Sequence, residues 1–175
     1  MKINKSTTAA FTGYRTIKIL RSASGRDIIE KLYLELNDVI EKLCEEGYDT
    51  FLSGMAEGFD MLAAEAVLKV KMKRANIRLI AVVPFLGQES GYFPRDKKRY
   101  QDILHSADKV VITSDTYHKK AFFVRNDYMI QNSSLIVCYY DGQRGGTMYT
   151  YNRALRNNMK IINLNTTANL NLVNG

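Results

Sequence analysis

The sequence predicts an α/β protein whose mainly parallel sheet is covered by helices. Short apolar runs of strand length alternate with longer segments in which apolar residues recur every three or four positions, an order typical of this class. The 175 residues fit one domain with a sizeable core. We expect residues 1–165 to form that domain, and residues 166–175, rich in Asn and Thr, to be a weakly ordered tail.

The individual elements follow from the same alternation. Residues 8–12 are an apolar run that ends at Gly13, which predicts the first strand. Residues 27–46 form a helix, because their apolar residues fall on one face and Gly47 supplies a C-terminal stop. We expect further helices over residues 60–74, 95–106, 122–132 and 148–157. Further strands are expected over residues 50–53, 77–83, 109–113, 135–140 and 160–164.

The chain is basic, with a formal net charge of +7. A cationic surface raises the local concentration of anionic partners, either phosphorylated metabolites or nucleic acid. For the basic runs on the predicted helices, a solvated surface is the simpler interpretation.

The composition indicates a cytoplasmic protein. No apolar run reaches membrane-spanning length, and residues 1–8 lack the apolar segment of a signal peptide, so we expect no membrane partner. Cys44 and Cys138 lie far apart in apolar stretches, which favours buried free thiols in a reducing compartment. The sequence is compatible with a homo-oligomer.

The residues that follow the predicted strands are the candidates for a ligand site, because ligands of parallel sheets bind outside the carboxyl ends of the strands. After the first, second, third and fifth strands, these candidates are Gly13, Tyr14, Arg15, Ser53, Gly54, Met55, Ala56, Glu57, Gly58, Asp60, Pro84, Phe85, Asp141, Gly142, Gly145, Gly146 and Thr147. Two more, Arg125 and Asn126, lie near the start of the helix that follows the fourth strand.

Two glycine loops lead directly into helices, one from Gly54 to Gly58 and one ending at Gly145 and Gly146. A helix that begins near the first loop would direct free N–H groups and its positive dipole end toward an anion. The second loop repeats this arrangement, with the Thr147 hydroxyl as a helix cap or phosphate ligand. A valine at Gly54 or Gly146 is therefore expected to fill space that a phosphate or ribose needs. The alternative is that the glycines serve turn geometry alone.

Neither loop matches the G-x-G-x-x-G fingerprint or the Walker pattern, so a standard dehydrogenase or NTPase is disfavoured. Arg125 has the planar fork that binds phosphate in a bidentate manner, and Arg15 is a similar candidate. The alternative for Arg125 is a surface ion pair with Asp127 or Asp115. Phe59 or Phe85 is placed to stack on a base.

The acids available near the strand ends are Glu57, Asp60 and Asp141. Asp60 is equally suited to cap a helix and Asp141 to shape a turn, so no catalytic residue is assigned. His105 and His118 lie in different segments without a carboxylate or thiol at ligand spacing, and we expect no metal site.

Five segments together resemble the YpsA-like proteins of the SLOG superfamily. They are TGYR, SGMAEGFDMLAAEAV, VPFLGQ, FVRNDYMI and YYDGQRGGT, in the order and spacing of that family. Residues 53–60 are also similar to the SGxAxGID loop of the DNA-processing protein DprA, as are Arg125 and Asn126 to its Arg-Asn pair. Residues 141–150 are similar to the PGGxGTxxE motif of LOG-type phosphoribohydrolases.

The resemblance implies a Rossmann-like three-layer sandwich that binds a nucleotide or nucleotide-derived ligand, with no required cofactor. We expect a sensor or regulatory domain for an ADP-ribose- or NAD-like molecule. Two alternatives are a nucleoside-phosphate hydrolase or transferase and a module that binds single-stranded DNA. LOG enzymes need a glutamate where this chain has Thr150, although Arg125 matches their upstream arginine.

Overall fold

The computed structural model describes residues 2–22 and 27–165. Its centre is a six-stranded sheet in which every neighbouring pair of strands is parallel. The strands are β1 (Thr8–Gly13), β2 (Thr50–Ser53), β3 (Arg78–Val83), β4 (Lys109–Ile112), β5 (Leu135–Tyr139) and β6 (Lys160–Asn163). The predicted α/β fold with a mainly parallel sheet is confirmed, while the predicted tail, residues 166–175, lies outside the described residues.

The helices are α1 (Thr16–Ser22), α2 (Ile28–Glu45), α3 (Phe59–Lys71), α4 (Pro94–Ser106), α5 (Ala121–Gln131) and α6 (Gly146–Arg156). Five of them agree with the predicted helices to within a few residues. Helix α1 was not predicted, because its seven residues are fewer than the window over which a helical period can be recognised. Short 3-10 helices cover Lys5–Thr7 and Gln88–Gly91.

The helices form a layer on each side of the sheet. From β1 to β4 the chain moves in one direction across the sheet, and α2, α3 and α4 pack side by side. After β4 it returns to the other side of β1, and α5 packs on α6. Because crossovers between parallel strands are right-handed, this reversal places α5 and α6 on the opposite face. No helix in the described ranges is long and apolar enough to cross a membrane.

The core lies around β1 and β2, the two central strands of the sheet. Ala9, Ala10 and Phe11 have at most 1% of their surface exposed, and Phe11 stacks on Phe51 of β2. Cys138 of β5 is buried, Cys44 is half-buried, and both are free thiols.

The strand order β4-β3-β2-β1-β5-β6 reverses direction between β1 and β5. At such a reversal the two crossovers leave on opposite faces, which opens a crevice at the carboxyl ends of the two strands. The loops after β2 and β5 flank β1 on either side of this point.

Candidate functional site

A cavity of about 500 Å³ lies over the carboxyl ends of β1 and β5. We call it the crevice cavity. The segments that follow β1, β2, β4 and β5 all contribute to its walls. Ten of the predicted site residues line it: Gly13, Tyr14, Arg15, Ala56, Asp60, Arg125, Asn126, Gly145, Gly146 and Thr147.

The lining is strongly cationic. It contains five basic side chains and, within the described chain, one carboxylate, that of Asp60. The basic residues are Arg15, Lys18, Lys119, Arg125 and Arg144, of which Arg15, Lys119 and Arg144 are exposed. Concave sites lined by one sign of charge concentrate ligands of the opposite sign, so this cavity favours anions.

The first turn of α6 opens onto the cavity. Gly145 and Gly146 are exposed, and both line it together with Thr147. A Cβ atom added to Gly146 would meet nothing within 4 Å, so the backbone at this helix start is accessible to a ligand. Free N–H groups and the positive end of the helix dipole therefore face the cavity.

The start of α3 is closed to a ligand, contrary to the expectation from the first glycine loop. The Phe59 amide donates a hydrogen bond to the Tyr14 carbonyl at 3.0 Å, and the Asp60 carboxylate is buried in the same turn. The backbone at Gly58, which has a φ of +106°, also leaves no room for a ligand atom. A Cβ added there would lie 2.5 Å from the Tyr14 carbonyl oxygen. A carboxylate already occupies the positive end of this helix.

Arg125 is buried beneath the cavity, with 5% of its surface exposed. Neither Asp127 nor Asp115 is its partner: Nη1 lies 3.9 Å from Oδ2 of Asp60 and donates a hydrogen bond to the Gly54 carbonyl. Its Nε donates to Oδ1 of Asn126 at 2.6 Å. The guanidinium is thus held in one orientation at the cavity floor.

The role of Gly54 differs from the sequence-based expectation. A Cβ there would lie 2.7 Å from Oδ2 of Asp60 and closer still to the guanidinium of Arg125. The space that a side chain would take is therefore filled by the Arg125–Asp60 pair rather than by a ligand.

Asp60 is buried, with 4% exposure, and is not the N-cap of α3, since Gly58 occupies that position. Its Oδ1 has no hydrogen-bond partner among the described residues. Burial raises the pKa of Asp60 to about 6, although the Arg125 charge acts in the opposite direction. Burial disfavours the charged form of Arg125 as well, and for this basic group it lowers the pKa.

The loop after β2 is held from below by the segment after β3. The Tyr92 hydroxyl donates to the Met55 carbonyl and accepts from the Glu57 amide, both at 3.2 Å. Burial raises the pKa of Tyr92 to about 12, so the hydroxyl stays protonated near neutral pH. The Ser53 hydroxyl donates to the Asp60 carbonyl at 2.8 Å. Ser53, Met55 and Glu57 therefore shape the loop without lining the cavity.

The loop after β5 is fixed to the end of β1. The Tyr14 hydroxyl donates to Asp141, and the Gln143 amide donates to Oδ1 of the same carboxylate at 3.0 Å. Burial and the bond to Asp141 raise the pKa of Tyr14. Asp141 is thus a turn residue, the alternative that the sequence left open, and neither it nor Gly142 lines the cavity.

An aromatic cluster forms the far wall. Phe122 and Phe123 line the cavity, and the Phe122 ring packs edge-on against Phe85 with centroids 5.6 Å apart. Phe85 also contacts Tyr117. Pro84 is buried at the end of β3, and neither Pro84 nor Phe85 lines the cavity. Phe85 thus supports the wall, and Phe122 lines the cavity where Phe85 and the fully buried Phe59 do not.

Thr150 lies beneath the first turn of α6, 1% exposed, and donates to the Gly146 carbonyl at 3.2 Å. It supplies no acid where LOG enzymes carry their glutamate.

Seven lining residues were not among the predicted site residues: Thr12, Ile17, Lys18, Lys119, Phe122, Phe123 and Arg144. Lys18 belongs to the unpredicted helix α1, and its Nζ lies 3.7 Å from the centre of the Tyr14 ring. The Phe-Phe pair just before Arg125 was the one available signal for the aromatic wall.

Comparison with known proteins agrees with the resemblance read from the sequence. The model of the YpsA family, described as the YspA SLOG family, matches residues 9–168. A UPF0398 protein of Halalkalibacterium halodurans is 37% identical over 109 residues, 61% of this chain and 58% of that protein. A UPF0398 protein of Bacillus thuringiensis is 26% identical over 140 residues, 79% and 76% of the two chains.

Among solved structures, DprA from Streptococcus pneumoniae superposes with a TM-score of 0.58 at 18% identity, over 89% of this chain and 49% of that one. DprA from Helicobacter pylori, described for its single-stranded DNA binding mode, superposes with a TM-score of 0.59 at 16% identity. The superposition covers 89% of this chain and 64% of that one. These likenesses confirm the Rossmann-like fold, and the chain spans about half to two thirds of the DprA chains.

Proposed function

This chain belongs to the YpsA family of SLOG proteins, and we propose that its crevice cavity binds a phosphate-bearing nucleotide derivative in a sensor or regulatory role. An ADP-ribose- or NAD-like molecule has the required chemistry. One observation carries the proposal: the open first turn of α6 and five basic side chains converge on one cavity that has a single carboxylate in the described chain.

The arrangement assigns each group a task. The Gly145 and Gly146 backbone at the start of α6 receives the phosphate, and Arg144, Lys119 and Arg15 neutralise its charge from the rim. Phe122 offers a ring face to the base. Arg125 already donates hydrogen bonds to Gly54 and Asn126. It therefore contributes positive potential at the floor of the cavity and keeps a fixed geometry.

Calorimetric titration with pyrophosphate, ADP, ADP-ribose, NAD and adenosine tests this proposal. The phosphate-bearing compounds should bind and adenosine should not. Arg144→Ala should weaken ADP binding by about tenfold, the loss of one charge-assisted contact. Arg95→Ala is the matched control, because Arg95 is exposed on α4 outside the cavity. Equal affinity for adenosine and ADP, or no binding at millimolar concentration, would contradict the proposal.

Single-stranded DNA binding is the second candidate. It is favoured by the DNA-binding mode described for the structurally similar Helicobacter pylori DprA and by the net charge of +7. Fluorescence anisotropy with a labelled oligothymidine at several salt concentrations measures it, since phosphate contacts make affinity fall steeply with salt. Competition by ADP would place the DNA in the crevice cavity.

A further inference from the structure

A second cavity, of about 490 Å³, lies along α6 next to the crevice cavity. We call it the distal cavity. The two cavities share Phe123, Gly145 and Gly146. The remaining walls of the distal cavity include Tyr149, Asn152, Arg153 and Arg156. A ligand bound at the start of α6 therefore has a cavity on each side of it.

The walls of the distal cavity lie on one face of α6. Tyr149, Arg153 and Arg156 are spaced by three or four residues, which aligns their side chains along the helix. At the helical rise per residue, Arg156 lies about 15 Å along the axis from Gly146. A mononucleotide with its phosphate at Gly146 and its base against Phe122 leaves this face uncontacted.

The distal cavity combines exposed rings with a free charge. Phe123 is 41% exposed, and its ring lies 4.6 Å from that of Tyr149. Asp127 fixes this wall, because it accepts hydrogen bonds at 3.0 Å from both the Tyr149 hydroxyl and Nε of Arg153. Arg156 is exposed and has no ion pair among the described residues, so its guanidinium is available to a ligand.

We propose that the distal cavity receives the second unit of a ligand in which two nucleoside units are joined through phosphate. The inference rests on the proposed function, since the bridging phosphate lies at the start of α6. One base contacts Phe122 in the crevice cavity, and the other stacks against Phe123 and Tyr149. At the outer end, the Arg156 guanidinium stacks on the face of that second base.

The test compares one-unit and two-unit ligands on matched variants of Tyr149, which lines the distal cavity and not the crevice cavity. The ligands are ADP, diadenosine diphosphate with a pyrophosphate bridge, and adenylyl-adenosine with a phosphodiester bridge. Wild-type protein should bind at least one two-unit ligand more tightly than ADP by at least about fivefold, the effect of one stacked base. The two bridges show which linkage is recognised.

Tyr149→Ala and Arg156→Ala should abolish that advantage and Tyr149→Phe, which keeps the ring, should preserve it, while ADP affinity stays unchanged in all three. Measurement at 0.15 M salt keeps long-range charge effects small, because the Debye length is then about 8 Å, and Arg95→Ala controls for the lost charge. ADP binding with no advantage for two-unit ligands would overturn this inference and leave the proposed function standing. Absence of ADP binding would overturn both.

Discussion

At the scale of single residues, the floor of the crevice cavity depends on two buried charges brought together from distant parts of the chain. Asp60 and Arg125 lie 3.9 Å apart, and neither is more than 5% exposed. Removing one member of a buried pair leaves the other uncompensated, while the pair itself need not stabilise the fold. The titration of Asp60 therefore bears on stability as well as on the charge of the site.

Asp60→Asn should change how stability depends on pH. The folded-state pKa of Asp60, about 6, lies above the ordinary aspartate value of 3.8, so between these two pH values the folded protein holds a proton that the unfolded chain releases. The wild type should lose up to about 3 kcal/mol relative to the variant as pH rises from about 4 to 6. Urea unfolding of both proteins across this range measures the difference, and a difference independent of pH would contradict the assigned pKa.

Gly54→Val and Gly146→Val should have opposite consequences. The first displaces the Arg125–Asp60 pair and should destabilise the protein by about 1–3 kcal/mol or more through overpacking. The second projects into open space, so it should leave the melting temperature nearly unchanged and abolish ADP binding. Denaturant unfolding and calorimetric titration of both variants check this. Undiminished ADP affinity in Gly146→Val would show that the start of α6 is not the phosphate site.

At the scale of elements, two similar glycine loops lead into helix starts with different properties. The α3 start is filled by Asp60 and bonded to the Tyr14 carbonyl, whereas the α6 start faces open space. The first loop supports the floor of the cavity, and Tyr92 holds that loop in place. The second loop supplies the accessible amides.

Tyr92→Phe should loosen the loop after β2 and leave the sheet intact. Losing the hydroxyl leaves the Glu57 amide and the Met55 carbonyl without this partner, which costs about 1–3 kcal/mol for a buried group. Hydrogen exchange should accelerate at the Glu57 amide and stay slow at Val82 in the centre of β3. Unchanged protection at Glu57 would mean that the loop is held by other contacts.

At the scale of the whole molecule, the crevice cavity is built from segments that follow four different strands. It therefore exists only in the folded domain, and a ligand that binds there stabilises the entire fold.

ADP at a hundredfold excess over its dissociation constant should raise the free energy of unfolding by about 2.7 kcal/mol. Scanning calorimetry should show one transition that moves to higher temperature, while adenosine at the same concentration leaves it in place. A transition that splits, or that moves equally with adenosine, would contradict a phosphate site shared by the whole domain.

The α/β class, the six strands and the positions where ligand-binding residues could lie were all predictable from the order of residues along the chain. These features are local: strand and helix periods and glycine turns are encoded within a few neighbouring residues. Helix α1 was not predicted, because seven residues are too few to show a helical period of apolar residues. The motifs from TGYR to YYDGQRGGT also sufficed to indicate the family, because their order and spacing are properties of the chain.

Which strand ends share a cavity, and which glycine loop is open, became known only from the folded arrangement of the chain. The pairing of β1 with β5 joins segments more than a hundred residues apart, and the Arg125–Asp60 pair joins two helices, α5 and α3, that no local pattern connects. Gly54 and Gly146 look alike in the sequence, yet one faces a buried ion pair and the other faces empty space. The difference arises because long-range packing, rather than residue type, determines what surrounds a glycine.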